Sequence, residues 1–504
     1  MRIASNKGVC RFFARDVYLA WRALVSERDY RIRGMAAEER RAGILLHPTS
    51  LPGGCGELGE EAARFVEFLR QAGQRSWQLL PLNPPDESGS PYSSDSAFAG
   101  SPWLVSAERL VRDGLVRRGE ITGDKERVLR AAFERHGKTE GLAAFREEQR
   151  DWLEDYALYR ALRRRFGRTW NRWPRALARR EAGALRQARR ELAGEVAFHE
   201  FAQYLFEAHW GAVRRRANRA GIEVIGDIPI FVSHDSADVW ANQHLFRLDG
   251  SGEPSVTAGV PPDYFSGEGQ LWGNPIYDWR RMAEEGYEWW TRRVRRALAL
   301  YDTARIDHFR GFAAHWEVPA GARTAAEGEW AAGPGAELFE AIRDRVGELP
   351  FIAEDLGEIT PDVEALRDGL GLPGMDVLQF AFSGPDSEFL PHNHRHANRA
   401  VYTGTHDNDT TAGWWSSAPE KERAFARRYL RREFLGVRDF IRLAYSSPAQ
   451  RAIIPMQDHL GLGSEARMNT PGTTGGNWRW RMSREDMSAE LAARIRELAR
   501  TYGR

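Results

Sequence analysis

A (β/α)8 barrel of the TIM type is the fold class that this sequence predicts, on three observations. Eight short apolar runs recur along the chain, each ending in polar residues. The runs carry no polar face, as strands of a parallel sheet must when helices cover both of its sides. Stretches with helical apolar spacing lie between them.

The first run is GILLHPTSLP from Gly43, which reads as strand then loop. EEAARFVEFLRQAG from Glu60 follows as an amphipathic helix with apolar residues at i, i+3, i+4 and i+7, and WQLLPLNPP from Trp77 as a second strand stopped by prolines. The same rhythm returns in IEVIGDIPIFV, TARIDHFRGF, LPFIAEDLG, DVLQFAF, AVYTGTHDND and RAIIPMQDHLGLG. Two stretches break it. Residues from about 104 to 200 are helical and rich in Arg and Ala, and residues from about 233 to 280 are rich in Gly, Pro and aromatics. They read as insertions in a single catalytic domain spanning residues 35 to 504. Residues 1 to 34, with eight basic and three acidic side chains and no apolar core, read as a non-structural leader ahead of Met35.

Composition narrows the partners. The chain has 504 residues, 42% of them hydrophobic, which is enough for a large core. Lys plus Arg (72) balance Asp plus Glu (71), and the net charge of +1 argues against a nucleic-acid or membrane partner. The Arg runs of the helical insertion interleave with Glu and read as a solvated helix face. Two cysteines, Cys10 and Cys55, exclude a disulfide scaffold and point to the reducing cytoplasm. No run approaches the roughly 20 apolar residues of a membrane helix. The 18 Trp residues outnumber the 14 Tyr, and flat aromatic faces suit sugar rings as well as cores. His47, His234, His308 and His406 each stand alone in their segments, so no metal ligand set is expected, and no cofactor.

Three of the expected strand ends deliver a carboxylate: Asp307 in RIDHFRG, Glu354 in IAEDLG and Asp407 in GTHDND. In a barrel such ends converge on one face, and glycoside chemistry uses a carboxylate pair there. Arg305 lies two residues before Asp307 on the same strand and faces the same side, which favours the ionised carboxylate of a nucleophile. Glu354 follows the apolar run LPFIA, so desolvation should raise its pKa and keep a proton for a leaving oxygen. His406 and Asp407 are adjacent and suited to holding sugar hydroxyls. Asp355 points to the other side of an ideal strand and reads as structural.

With these residues in view, the chain resembles glycoside hydrolase family 77, the 4-α-glucanotransferases also called amylomaltases or disproportionating enzymes. The resemblance runs through GILLHPTSLPGG, SPYSSDSAFAGSPWL, GDIPIFVSHDSADVWAN, PPDYFSGEGQLWGNPIYDW, RIDHFRG, AEDLG, YTGTHDNDTTAGWW and GLGSEARMNTPGTTGGNWRWR. It implies a barrel without the C-terminal β domain of the α-amylases, and a retaining double displacement that transfers α-1,4-glucan segments to the 4-OH of glucose or a maltooligosaccharide. It also implies roles: Asp307 as nucleophile, Glu354 as acid/base, Asp407 as transition-state stabiliser, and Arg305, His308 and His406 around the cleaved sugar. Tyr92 matches a sugar-stacking tyrosine and Asp227 a polar position nearby. Gln270, Trp272 and Asn274 match glucan contacts in an acceptor loop that begins around Tyr264. Asp95 and the segment around Cys55 depart from the family pattern.

Two rivals remain at this point. An α-glucan hydrolase of α-amylase type would use the same carboxylates with water as acceptor, and a glycan-binding scaffold would lack one of them. Maltotriose alone separates them. A transferase yields glucose and a ladder of longer maltooligosaccharides, as chromatography by chain length would show; a hydrolase yields glucose and maltose with steadily rising reducing ends.

Overall fold

The computed structural model of the chain describes residues 40–54, 56–262, 267–473 and 475–504. The expected leader, Met35, Cys10, Cys55 and Tyr264 lie outside the described residues. Among the described residues twelve strands follow in chain order: β1 (Arg41–Leu45), β2 (Ser76–Gln78), β3 (Glu223–Pro229), β4 (Val256–Val260), β5 (Gln270–Pro275) and β6 (Thr303–Asp307). They continue with β7 (Ala314–Pro319), β8 (Glu329–Ala332), β9 (Phe351–Ala353), β10 (Gly374–Val377), β11 (Arg399–Tyr402) and β12 (Arg451–Pro455). Eight of them form one parallel sheet in the order β10-β11-β12-β1-β2-β3-β6-β9. The Ala353 N–H donates to the Pro373 carbonyl at 2.8 Å, which brings β9 back beside β10 and closes the barrel. Each of the eight apolar runs contributes one of these strands.

Alternation within the strands sorts the side chains. In β6, Ala304 and Ile306 pack outward with the helices, while Arg305 and Asp307 belong to the inner face. In β12, Ala452 and Ile454 join an outer cluster with the helix Val437–Ser446, and Ile453 joins the inner one. The barrel interior is a buried plug of Leu45, Leu80, Ile225, Ile352, Met375, Val377, Ala400, Tyr402 and Ile453. β1 and β2 approach so closely that a Cβ on Gly43 would meet the Ser76 Cβ and carbonyl oxygen at 2.8 Å. Only glycine fits that position.

Below the plug, at the N-terminal ends of the strands, a single carboxylate gathers five of them. Glu223 of β3 accepts from Thr303 Oγ1 of β6 at 2.5 Å and from Ser76 Oγ of β2 at 3.2 Å. Arg451 Nη2 of β12 lies at 3.0 Å and Arg41 Nη1 of β1 at 3.5 Å. Burial works to raise the Glu223 pKa, but Arg451, Thr303 and Arg41 outweigh it and hold the carboxyl below its usual range. The charge is therefore kept inside the barrel by its partners.

Three details differ from the sequence reading. DVLQFAF is a strand only to Val377, after which Leu378–Ser383 winds into a 3-10 helix. The helical stretch between β2 and β3 runs past residue 200, because its last helix, Ala193–Arg219, continues almost to β3. The stretch around 233 to 280 holds β4 and β5, which pair with β7 and β8 from the following barrel loop into an antiparallel sheet β5-β4-β7-β8. That sheet left no signal in the sequence because β8 and much of β5 are exposed on both faces and lack an apolar alternation. No helix among the described residues is long and apolar enough to cross a membrane.

Glu223→Gln removes the charge opposite Arg451 while keeping the shape. It should cost about 3–5 kcal/mol of unfolding free energy in urea titrations, the range for stranding one partner of a buried pair. The turnover of the folded fraction should not change, since the site lies at the other end of the barrel.

Candidate active site

The C-terminal ends of the strands carry the polar residues, and Arg305 stands at their centre. Its side chain is 4% exposed. It donates from Nε and Nη2 to Asp227 Oδ2 at 3.0 and 2.8 Å, from Nη2 to Asp307 Oδ1 at 2.7 Å, and from Nη2 to the Tyr92 hydroxyl oxygen at 3.3 Å. Burial works against its charge, yet Asp227, Asp307 and Tyr92 more than compensate and raise its pKa. β3 and β6 are in register with Asp227 opposite Arg305 and Pro229 opposite Asp307, so strand pairing alone sets this contact.

Asp307 closes β6 with Oδ1 on Arg305 and its side chain 29% exposed to the cleft. Asp227 is different. Its side chain has no exposed surface, its Oδ2 also accepts from the Tyr92 hydroxyl at 2.7 Å, and its Oδ1 has no partner among the described residues. Burial pushes its pKa up to about 7 against the pull of Arg305, and Asp307 adds to the push. Its carboxylate thus reaches the cleft only through Arg305 and Tyr92.

Glu354 follows β9 directly. Its Oε2 accepts from the His308 backbone N–H at 2.7 Å and its Oε1 from the Leu356 N–H at 3.0 Å. His308 aims that N–H by adopting a left-handed conformation with φ 53°. Burial, and then the Asp307 charge, raise the Glu354 pKa to about 8; Arg305 and the two N–H groups pull the other way and lose. At neutral pH this carboxyl carries its proton. Asp355 turns away, as expected, and bonds Arg367 and the Met375 N–H at 2.6 Å.

Asp407 lies in the loop after β11 with its side chain 45% exposed. Its Oδ1 accepts from Asn469 Nδ2 at 2.6 Å, its carbonyl from Arg467 Nη2 at 2.7 Å, and its Oδ2 lies 3.4 Å from His406 Nε2. The buried His406 ring stacks on Tyr92, with centroids 5.0 Å apart and planes at 8°. Trp478 flanks both rings at 5.9 and 6.0 Å. Burial lowers the His406 pKa and keeps the imidazole neutral.

The remaining expected residues sit on the rim. Trp272, 37% exposed on β5, meets the His308 ring edge-on at 4.8 Å and donates from Nε1 to Gln270 Oε1 at 3.2 Å. The His308 Nε2 is buried with no partner among the described residues, and burial lowers its pKa to about 3. Asn274 spends its side-chain amide on the Val232 carbonyl at 3.0 Å. Asp95, one of the departures, pairs with Arg160 of the helical insertion. The structure thus brings Asp307, Glu354, Asp227, Arg305, Tyr92, His308, His406 and Asp407 together, with Gln270 and Trp272 above them and Asn274 turned into the backbone. Sequence reasoning singled out none of Arg467, Asn469 and Trp478. They stand in GLGSEARMNTPGTTGGNWRWR, an irregular segment whose only signal was its likeness to the family.

A profile of the 4-alpha-glucanotransferase family matches residues 46–487. The 4-alpha-glucanotransferase of Thermus thermophilus is 50% identical over 490 residues, covering 91% of this chain and 98% of that one. The chloroplastic/amyloplastic 4-alpha-glucanotransferase of Solanum tuberosum is 45% identical over 503 residues, covering 93% and 87%. Among solved structures, the amylomaltase from Streptococcus agalactiae in complex with acarbose superposes with a TM-score of 0.88 at 38% identity, over 92% of this chain and 99% of that one. The amylomaltase from Corynebacterium glutamicum, at 19% identity and a TM-score of 0.72 over 95% and 76%, shares the fold.

The raised pKa of Glu354 has a consequence for stability. A carboxyl whose folded value, about 8, lies above its ordinary 4.5 favours the fold while protonated, and that contribution is complete below about pH 4.5 and lost as pH rises through about 8. Unfolding of the protein and of Glu354→Gln should be compared at pH 5 and pH 9. The parent should lose more stability over that interval than the variant, which has nothing to titrate there; equal losses would show that Glu354 is ionised throughout.

Proposed function

The chain belongs to the 4-α-glucanotransferases of glycoside hydrolase family 77, and from that membership we propose how its residues divide the work. The enzyme is a transferase, and a hydrolase of α-amylase type is not favoured by its relatives. We infer that donor and acceptor are α-1,4-glucans, with glucose or a maltooligosaccharide offering the 4-OH. The cytoplasm is the compartment we infer, on the strength of two cysteines in 504 residues.

One observation carries the assignment: Asp307 lies against the Arg305 guanidinium, while burial and the Asp307 charge push the pKa of Glu354 in the same cleft up to about 8. Arg305 holds Asp307 by Oδ1, and among the described residues Oδ2 accepts no hydrogen bond, which leaves it free to attack. Glu354, with its pKa near 8, holds a proton beside it. In the first step Asp307 Oδ2 bonds to the anomeric carbon as the glycosidic bond breaks, and the Glu354 proton passes to the departing 4-oxygen. In the second, the Glu354 carboxylate takes the proton of the acceptor 4-OH, whose oxygen displaces Asp307 and restores the α-linkage. Two inversions retain the configuration.

The other groups serve the transition state. Asp407, fixed by Asn469, faces the cleft to accept from sugar hydroxyls as positive charge grows on the ring. Tyr92 and the neutral His406 form a flat wall for the sugar beside it, and Arg305 orders that wall through the Tyr92 hydroxyl. Gln270 and Trp272 stand where the acceptor enters over His308, and Trp272 supplies apolar surface that favours a sugar over water. Asn274 supports that strand through Val232.

Variants of the two carboxylates test the division. Asp307→Asn should abolish transfer from every donor, whatever its leaving group. Glu354→Gln should lose transfer from maltotriose but still react once with maltosyl fluoride, which needs little protonation. The intermediate then lacks a base and accumulates. Mass spectrometry of a digest should find the sugar on the peptide carrying Asp307; a label elsewhere, or an active Asp307→Asn, would overturn the assignment.

A further inference from the structure

Behind the loop that carries His406 and Asp407 lies a carboxylate that never meets the cleft. Asp458 sits just past β12, in the short helix Met456–Leu460, and is 2% exposed. Its Oδ2 accepts from Thr403 Oγ1 at 2.5 Å and from Thr411 Oγ1 at 2.6 Å, and its Oδ1 from the Thr411 backbone N–H at 2.8 Å. Thr403 is the first residue after β11, and Thr411 opens the helix Thr411–Ser417. The segment 403–411 therefore leaves its strand and enters its helix on the same buried carboxylate.

Such a site is costly. Burial pushes the Asp458 pKa up, Asp409 adds to the push, and the two threonines oppose it. Among the described residues no Arg or Lys pairs with it, so three hydrogen bonds alone offset its desolvation. An apolar residue in its place would leave both threonine hydroxyls and the Thr411 N–H without that acceptor. What the carboxylate provides is geometric: two acceptor oxygens that fix three donors at once.

Between the two ties the loop has its own internal bracing. Asn408 Oδ1 accepts from the Thr405 N–H and hydroxyl, both at 2.8 Å, and the Asp407 N–H donates to Thr405 Oγ1 at 3.3 Å. Gln379 Nε2 holds the Asp409 carbonyl at 2.8 Å. From the cleft side Arg467 and Asn469 reach the loop, Ser464 Oγ donates to Asp409 Oδ2 at 2.7 Å, and the Tyr92 and Trp478 rings flank His406. The brace fixes shape within the loop, whereas Asp458 fixes where the loop stands relative to β12 and hence to the barrel.

We propose that Asp458 is a positioning residue for catalysis, clamping the loop 403–411 at both ends so that Asp407 stands at a set depth over the cleaved sugar. The proposal rests on the role given above to Asp407. A displacement of about 1 Å at such a group costs on the order of 10²-fold in rate.

Asp458→Asn, which keeps the volume but loses one strong acceptor, should lower kcat for maltotriose disproportionation about 10²-fold with KM changed less than about threefold, measured on folded enzyme well below its melting temperature. Thr411→Val and Thr403→Val, each removing one tie, should give smaller losses of the same kind, and Thr403→Ser should restore the parent rate. These three serve also if Asp458→Asn does not fold. A double-mutant cycle supplies the decisive reading: in an Asp407→Asn background, Asp458→Asn should cost less than about threefold, because the group it positions is gone. Equal costs in both backgrounds, or a lowered melting temperature with kcat intact, would overturn the clamp alone. An Asp407→Asn enzyme with full activity would instead overturn the role of Asp407, and the clamp's purpose with it.

Discussion

The buried guanidinium of Arg305 is the interaction on which the site depends. A cation at 4% exposure is stable only if its donors meet anions, and here two carboxylates and a phenol meet them. Because Arg and Asp307 alternate with outward-facing Ile306 on one strand, the contact follows from the pleat. Because Asp227 lies opposite Arg305 on β3, it also follows from register. One side chain therefore orders the nucleophile candidate, the buried Asp227 and the Tyr92 wall together. Lysine would not serve: a single ammonium lacks the planar fork that reaches Asp227 from two nitrogens while a third contact goes to Asp307.

The same charge explains why two nearby carboxyls differ. Asp307 has Arg305 in direct contact, whereas Glu354 has only backbone N–H groups and feels Asp307 as a like charge. Burial then decides for the proton on Glu354. The raised pKa of Glu354 thus arises from its burial and from the contact of the one nearby cation with Asp307 instead.

The barrel's two ends use charge in different ways. At the lower end Glu223 is surrounded by donors from four other strands, and every contact is between regular elements. At the upper end the polar groups emerge on loops, which need separate anchoring. Asp458 anchors the loop after β11, and Asn469 and Arg467 hold it from the front. The antiparallel sheet built from two barrel loops carries Trp272 to the rim in a similar way, with β4 pairing to β7 across the chain. Rigidity at the lower end supports function; at the upper end it is part of it.

What the sequence by itself determined is whatever repeats along the chain. The eight strands, the helices between them, the pairing of Arg305 with Asp307, the inward turn of Glu354 and the outward turn of Asp355 all follow from periods of 2 and 3.6 residues, which are local. The three carboxylates were legible for the same reason, since each stands at the polar end of an apolar run. Only the tertiary structure decided what lies across the barrel mouth. It set Asp307 close enough to Glu354 to raise its pKa, sealed Asp227 from the cleft, and brought Asn469 to Asp407 from 62 residues away. It also made a sheet of β4, β5, β7 and β8 from segments that show no alternation. Such contacts depend on how far each loop travels before the closed barrel returns it, and loop paths carry no period for a sequence to display.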